Sequence, residues 1–227
     1  MSEADFEERL RAEKLAAVAE FAAGAGHEIN NPAATIIGRA RQLLADETDP
    51  ARRHTLATII AQGYRIRDMI GDAMTFARPP EPRPTAFDLA DAVHTVAAEW
   101  RPRFDETDAT LDTAAPDATP VFADREQVTV VVAELLKNAL HAAGQGGRTT
   151  VAVDAASRRL SVTDTGPGFT DEQRRHAFDP FYSGRDAGRG LGFGLSKCWR
   201  IVTNAGGTIT LGDATPTTIA VTLPPPP

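Results

Sequence analysis

The sequence predicts two unlike parts in one chain: a helical hairpin, then a two-layer α/β sandwich. Three observations predict it. Apolar residues before residue 78 recur only at helical steps. The stretch Arg78-Pro79-Pro80-Glu81-Pro82-Arg83-Pro84 then admits neither a regular helix nor a central strand. Beyond it, helical and strand patterns interleave, as they do when helices pack on a sheet. The expected division is 1–78 for the hairpin, 79–84 for a linker, 85–223 for the sandwich and 224–227 for a proline tail.

The hairpin rests on two periodic runs. Val18, Phe21, Ala22, Ala25, Ile29, Ile36, Ala40 and Leu43 step by threes and fours along one helix face. Asp46-Glu47-Thr48-Asp49-Pro50 ends that helix and starts another, with Asp49 as N-cap and Pro50 in the first turn. Leu56, Ile59, Ile60, Ile66, Met69, Ile70 and Ala73 continue the spacing on the second helix. Two helices bury too little apolar surface alone, so a dimeric four-helix bundle is the expected completion.

In the second part, Asp88 is the expected cap of a helix to about Arg103. Val121 to Ala123 reads as a strand, and Asp124 caps a helix to about Ala143. Thr149 to Val153 and Leu160 to Thr163 read as paired strands. Leu191 to Ala205 includes a helix, and Thr208 to Leu211 with Thr217 to Leu223 forms a closing hairpin. Ala109 to Pro120 has the composition of a short strand with turns. No internal repeat is visible.

Bulk properties narrow the function classes. The 227 residues carry a net charge of −7 and no long basic run, which does not suggest a nucleic-acid partner. The single cysteine, Cys198, excludes an internal disulfide and fits a reducing compartment. No apolar run approaches the roughly 20 residues of a membrane span, and no signal peptide is visible. The expectation is a soluble cytoplasmic protein, or the cytoplasmic part of a longer one.

Chemistry concentrates first at Gly26-His27-Glu28-Ile29-Asn30-Asn31-Pro32. An α-helix turns about 100° per residue, which sets His27 opposite the apolar face, with Asn31 one turn beyond it. A neutral imidazole is a competent nucleophile. Glu28 can accept the proton from one ring nitrogen, and Asn31 can orient a water. Pro32 removes the helix hydrogen bond to the Glu28 carbonyl and is expected to bend the helix there; Gly24 and Gly26 loosen the turn before it. Taken alone, the pattern also reads as an exposed histidine on a solvated face.

The second concentration lies C-terminal. The P-loop pattern G-x-x-x-x-G-K-[ST] is absent. Instead Glu134, Asn138 and His141 share one stripe of a helix whose other side carries Val128, Val132, Leu135 and Ala139. The Asn138 carbonyl suits Mg²⁺, a hard cation that prefers oxygen. Lys137 and His141 can reach phosphates. The same helix also reads as plainly amphipathic. Asp164-Thr165-Gly166-Pro167-Gly168 follows a strand; a carboxylate there can accept from an amino group such as that of adenine, while glycine lets the backbone come close. A plain turn is the other reading. Gly188-Arg189-Gly190-Leu191-Gly192-Phe193-Gly194 opens a helix, as anion sites do. Phe178-Asp179-Pro180-Phe181-Tyr182 before it reads as part of a mobile lid or as core.

In this order the five segments resemble the core of a two-component sensor histidine kinase, over nearly the whole chain. Gly26 to Pro32 resembles the H-box, Glu134 to Ala139 the N-box, Asp164 to Gly168 the G1 box, Phe178 to Tyr182 the F-box and Gly188 to Gly194 the G2 box. Thr165 stands where asparagine is common, and Phe193 where leucine is more usual. The resemblance implies a Bergerat ATP-binding fold, a homodimer built on the hairpin, autophosphorylation at His27, and transfer to an aspartate of a response regulator. It implies Glu28 as proton acceptor, Asn31 for dephosphorylating the regulator, Asn138 as Mg²⁺ ligand and Asp164 as adenine anchor. ATP would be gripped by Glu134, Lys137, Asn138, His141, Asp164, Gly166, Gly168, Phe178, Phe181, Gly188, Gly190, Gly192 and Gly194. The alternative is an ATP-driven conformational ATPase of the chaperone, gyrase and mismatch-repair type, which needs no acceptor histidine. A non-catalytic dimeric scaffold is a third reading.

Overall fold

The computed structural model describes residues 3–77, 80–115, 118–180, 182, 192–212 and 216–227; before Glu28 the side-chain surroundings are described only at 20, 24 and 26. Two compact units result, Met1–Pro80 and Glu81–Pro227.

The first unit is two helices, α1 (Glu3–Asp46) and α2 (Pro50–Ala77). Charged groups tie the turn between them. The Asp49 carboxylate accepts from Arg52 N at 2.9 Å and so caps α2. Glu47 accepts from Thr48 N and Asp49 N, each at 2.9 Å. The Asp49 N–H, foremost, holds the Glu47 carboxyl below its ordinary range. The Arg53 guanidinium donates to the Glu47 carbonyl at 2.7 Å and to that of Leu44 at 3.4 Å, satisfying acceptors that the end of α1 leaves free.

The seam within the hairpin differs from the expected face. Gly26, Ala33, Ile37 and Ala40 are buried on α1, facing a partner helix that buries Gly63, Ala73 and Phe76. Ile36 and Leu43, expected on the apolar face, are 51% and 64% exposed. Small residues explain the shift. A Cβ on Gly63 would stand 2.5 Å from Ile37 Cγ1, and one on Gly26 would overlap Met74 Sδ. Two glycines let the helices approach more closely than the larger apolar residues allow. Gly26 is therefore a packing residue within continuous helix, and α1 also runs unbroken through Pro32.

The second unit is a two-layer sandwich, as expected. Its five-stranded sheet has the order β2-β4-β5-β7-β6, from β2 (Thr110–Ala114), β4 (Arg148–Asp154), β5 (Arg159–Asp164), β6 (Thr208–Leu211) and β7 (Thr217–Thr222). β2 runs parallel to β4, and the other pairs are antiparallel. A separate antiparallel pair joins β1 (Thr85–Asp88) to β3 (Pro120–Ala123). Helices α3 (Leu89–Asp105), α4 (Arg125–Ala143) and α6 (Gly194–Asn204) bring Val93, Phe104, Val132, Leu135 and Ile201 into one core with Val151, Leu160, Val162 and Ile219 of the sheet.

Alternation along the strands decides what the core sees. Thr149, Val151 and Val153 point inward on β4, and Leu160, Val162 and Asp164 on β5. Asp164 thus ends a strand in the buried phase. Two carboxylates fix the helix starts. Asp88 accepts from Ala90 N at 2.9 Å and from Thr119 N at 2.8 Å, capping α3 and clipping it to the chain before β3. Asp124 accepts from Gln127 N at 3.1 Å through one oxygen and from Arg83 N at 2.7 Å through the other. The chain leaving the proline-rich stretch is so fastened to the start of α4.

β1 and α5 (Asp171–His176) are elements the sequence pattern did not predict. Pro82 and Pro84 mask β1, which as the edge of a two-stranded sheet tolerates such neighbours. α5 has no apolar periodicity. A reciprocal capping box between Thr170 and Gln173 starts it.

Candidate functional site

The polar stripe on α4 faces the start of α6. Glu134 is half-buried, and its Oε1 accepts from Lys197 Nζ of α6 at 2.7 Å. Its Oε2 lies 3.7 Å from Lys137 Nζ. Asn138 is half-buried one helical turn on. A Cβ on Gly194, the first residue of α6, would stand 3.1 Å from Glu134 Oε2 and 3.6 Å from Asn138 Nδ2. Carboxylate, amide and ammonium groups thus converge on a helix N-terminus whose approach glycine keeps open.

His141 lies at the far end of the stripe. It is exposed, and its Nδ1 lies 2.6 Å from the Lys137 carbonyl of its own helix. The ring is folded back onto the α4 backbone.

Asp164 is 4% exposed and its Oδ1 accepts from Gly166 N at 2.8 Å. Burial raises its carboxyl above the ordinary range, and the Gly166 N–H opposes that in part. A Cβ on Gly166 would fall 2.6 Å from the Ala142 carbonyl and 2.7 Å from Asp164 Oδ1, so only glycine permits this turn against α4. Gly168 adopts φ 84°, which also favours glycine. In the strand register Asp164 pairs with Thr149 on one side and Thr217 on the other, and both threonines are buried. Thr149 Oγ1 has no hydrogen-bond partner among the described residues. A half-satisfied carboxylate flanked by hydroxyls is costly inside a fold and useful against the polar edge of a base.

The remaining expected residues fall as follows. Phe178 is half-buried and packs on the core, and Gly192 adopts φ 71° just before α6. Ser196 Oγ donates to the Phe193 carbonyl at 3.1 Å, and Phe193 itself is 2% exposed. Phe181, Gly188 and Gly190 lie outside the described residues, as does the side chain of His27. On α1, Glu28 and Asn31 are exposed, and the Asn31 carbonyl accepts from Thr35 Oγ1 at 3.0 Å.

Sequence reasoning missed Lys197, Thr149 and Thr217. Each carried a signal. Lys197 stands between Gly194 and Ile201 in the apolar phase of α6, and each threonine stands at an inward strand position.

The residues suit a nucleotide with Mg²⁺. Among the described residues no three His, Cys, Asp or Glu side chains gather as a metal cluster. Mg²⁺ held by one or two protein oxygens and the phosphates themselves needs no such cluster. The Asn138 amide can offer its carbonyl oxygen once it turns, and Glu134 Oε2 stands beside it.

Comparison with known proteins matches both units. Residues 17–82 match the His Kinase A (phospho-acceptor) domain. Residues 123–227 match the histidine kinase-, DNA gyrase B- and HSP90-like ATPase family. The sensor histidine kinase ZraS of Klebsiella oxytoca is 32% identical over 208 residues, covering 89% of this chain and 45% of ZraS. The chain spans about half the length of the curated relatives it matches. A full-length ShkA in complex with AMPPNP superposes with TM-score 0.77 at 23% identity, over 90% of this chain and 45% of that one. Histidine kinase ThkA, in complex with response regulator protein TrrA, gives TM-score 0.71 at 24% identity, over 97% of this chain and 65% of that one. At these identities the two structures speak to the fold.

Asp164→Asn separates stability from binding. The folded carboxyl titrates above its unfolded value. Stability is therefore full below the unfolded pKa and falls as pH rises through the folded pKa. The asparagine form should be the more stable at pH 7 without nucleotide, with the advantage shrinking as pH falls through the carboxylate range. Its affinity for an adenine nucleotide should drop about tenfold or more, the worth of one hydrogen bond to a charged group. Unfolding followed by fluorescence of Trp100 and Trp199, both in this unit, and titration calorimetry check the two halves.

Proposed function

The chain belongs to the sensor histidine kinases of two-component systems, and we propose that it binds ATP with Mg²⁺, autophosphorylates on His27 and passes the phosphoryl group to an aspartate of a response regulator. The carrying observation is the co-occurrence of two things that neither unit needs for folding. One is the His27-Glu28 pair with Asn31 exposed one turn on. The other is the set of half-buried Glu134 and Asn138, exposed Lys137 and buried Asp164 around the start of α6 and the end of β5. The match of residues 17–82 to a phospho-acceptor domain favours this over a conformational ATPase, which has no use for such a helix.

In this reading Asp164 accepts from the exocyclic amino group of adenine. The N-terminus of α6 and Lys137 receive phosphate oxygens. Asn138 and Glu134 would hold Mg²⁺, which when bound offsets charge on those oxygens. One His27 ring nitrogen attacks the γ-phosphorus. The bond from that phosphorus to the β,γ-bridging oxygen breaks, and ADP leaves with its electron pair. The proton on the other ring nitrogen passes to Glu28. The phosphoryl group then moves from nitrogen to a carboxylate oxygen of the regulator. Asn31 orients the water that later hydrolyses the acyl phosphate, which adds phosphatase activity. Both reactions belong in the cytoplasm; among the described residues no helix is long and apolar enough to cross a membrane.

His27→Gln should keep adenine-nucleotide affinity within about threefold of wild type, a difference under 1 kcal/mol. It should incorporate no acid-labile phosphate from γ-labelled ATP. Incorporation at the wild-type level would exclude His27 as acceptor.

The reading also includes a homodimer through the hairpin. Ile36 and Leu43 on α1, and Ile59 and Ile66 on α2, remain 51%, 64%, 40% and 43% exposed. In each pair the spacing is seven residues, the period of a helical-bundle seam. Leu43→Glu with Ile59→Glu should give a monomer by sedimentation; a persistent dimer would move the interface elsewhere.

A further inference from the structure

Lys197 is the buried lysine of the described chain, 7% exposed, on the α6 face that also buries Cys198, Ile201 and Val202. Lysine is almost never buried without a partner. Its partner is 63 residues away on another helix: Nζ donates to Glu134 Oε1 at 2.7 Å, with side-chain exposures of 9% and 13%. Such a pair is a poor way to hold two helices. Desolvation offsets most of its attraction, and an apolar pair of similar volume serves as well or better. The neighbouring core residues of α4, Val131 and Leu135, show that solution in use.

The geometry gives the pair another role. Lys197 engages one oxygen of Glu134 from the core side. The other oxygen is left facing the opening beside Asn138, 3.1 Å from the point where a Gly194 Cβ would stand and 3.7 Å from Lys137 Nζ. Lys137 itself is about half exposed, its side chain at 46%, and stays available to a phosphate. An unaccompanied carboxylate at this place would repel the phosphates of a nucleotide. One already matched by a buried ammonium does not.

We propose that Lys197 is a positioning residue of the nucleotide site: it fixes Glu134 through Oε1 and neutralises it, so that Oε2 faces the Asn138–Gly194 opening without turning polyphosphate away. This rests on the nucleotide reading above. It gives the glutamate two separable properties. Its charge must be cancelled for binding, and its fixed oxygen is needed for the reaction.

Three variants test this by calorimetry with Mg²⁺-AMPPNP and by initial autophosphorylation rate, with thermal melting as the control for folding. Lys197→Met removes the buried partner of Glu134, so that Lys137, 3.7 Å from Oε2, is drawn to the carboxylate and away from phosphate, and should weaken binding at least tenfold. Lys197→Met with Glu134→Gln removes the imbalance of charge and should bind at least fivefold more tightly than Lys197→Met alone, yet autophosphorylate at least tenfold more slowly than wild type. Lys197→Arg keeps the charge and should bind within threefold. Binding within threefold by folded Lys197→Met would overturn the proposal, and so would a double variant as weak as the single one. If Lys197→Met does not melt cooperatively, the double variant decides alone: retained binding of Mg²⁺-AMPPNP with phosphorylation slowed at least tenfold supports the role, and loss of binding or a wild-type rate overturns it. Wild-type protein that binds no Mg²⁺-AMPPNP would instead refute the nucleotide reading itself.

Discussion

The organisation of the C-terminal unit follows from the cost of burying charge. An ionised carboxylate or ammonium inside a fold is destabilising unless each is matched. Among the described residues Glu134, Lys197 and Asp164 are such groups, and the first two match each other. Asp164 keeps one backbone donor and titrates high. The structure around them answers that constraint. Gly166 brings an N–H to Asp164, Gly194 leaves room beside Glu134, and β5 ends at the residue whose carboxylate must look inward. A site that holds such a half-matched carboxylate is one that a ligand with the complementary groups completes.

The N-terminal unit is governed by a different constraint, the distance between two helices. Gly26 and Gly63 set it by presenting no side chain to Met74 and Ile37. Close approach turns Ala33, Ile37 and Ala40 into the internal seam and leaves Ile36 and Leu43 outside. The proposed acceptor segment lies on the same stretch of α1 as this seam, with Gly26 adjacent to His27. Packing and chemistry are therefore read from neighbouring residues of one helix.

Most of the architecture was legible in the sequence because it is written in caps and periods. Asp49, Asp88 and Asp124 each accept the backbone N–H that a helix start requires. The strands β4 and β5 alternate as a half-covered sheet must. What the pattern hid was held by interactions between distant positions. The α1 seam depends on glycines 37 residues apart in the chain, which a search for large apolar residues passes over. β1 depends on β3, and the parallel run of β2 on β4. In the site, Glu134, Asn138 and Asp164 were readable as polar residues on core-bearing elements. The burial of Lys197 could be read from the apolar phase of α6, but its pairing with Glu134 of another helix could not. His141 stands on the same stripe as Glu134 and Asn138, and the contact of its Nδ1 with the backbone of its own helix was not legible in the pattern.

The central claim is that the groups around the start of α6 and the end of β5 are completed by an adenine nucleotide. Hydrogen–deuterium exchange with and without Mg²⁺-AMPPNP tests it most directly, because it reads each segment in the intact chain. Saturating nucleotide should slow exchange in residues 134–142, 164–168 and 192–198 and leave residues 85–105 and 208–212 unchanged. Equal exchange in all of these segments would contradict the account.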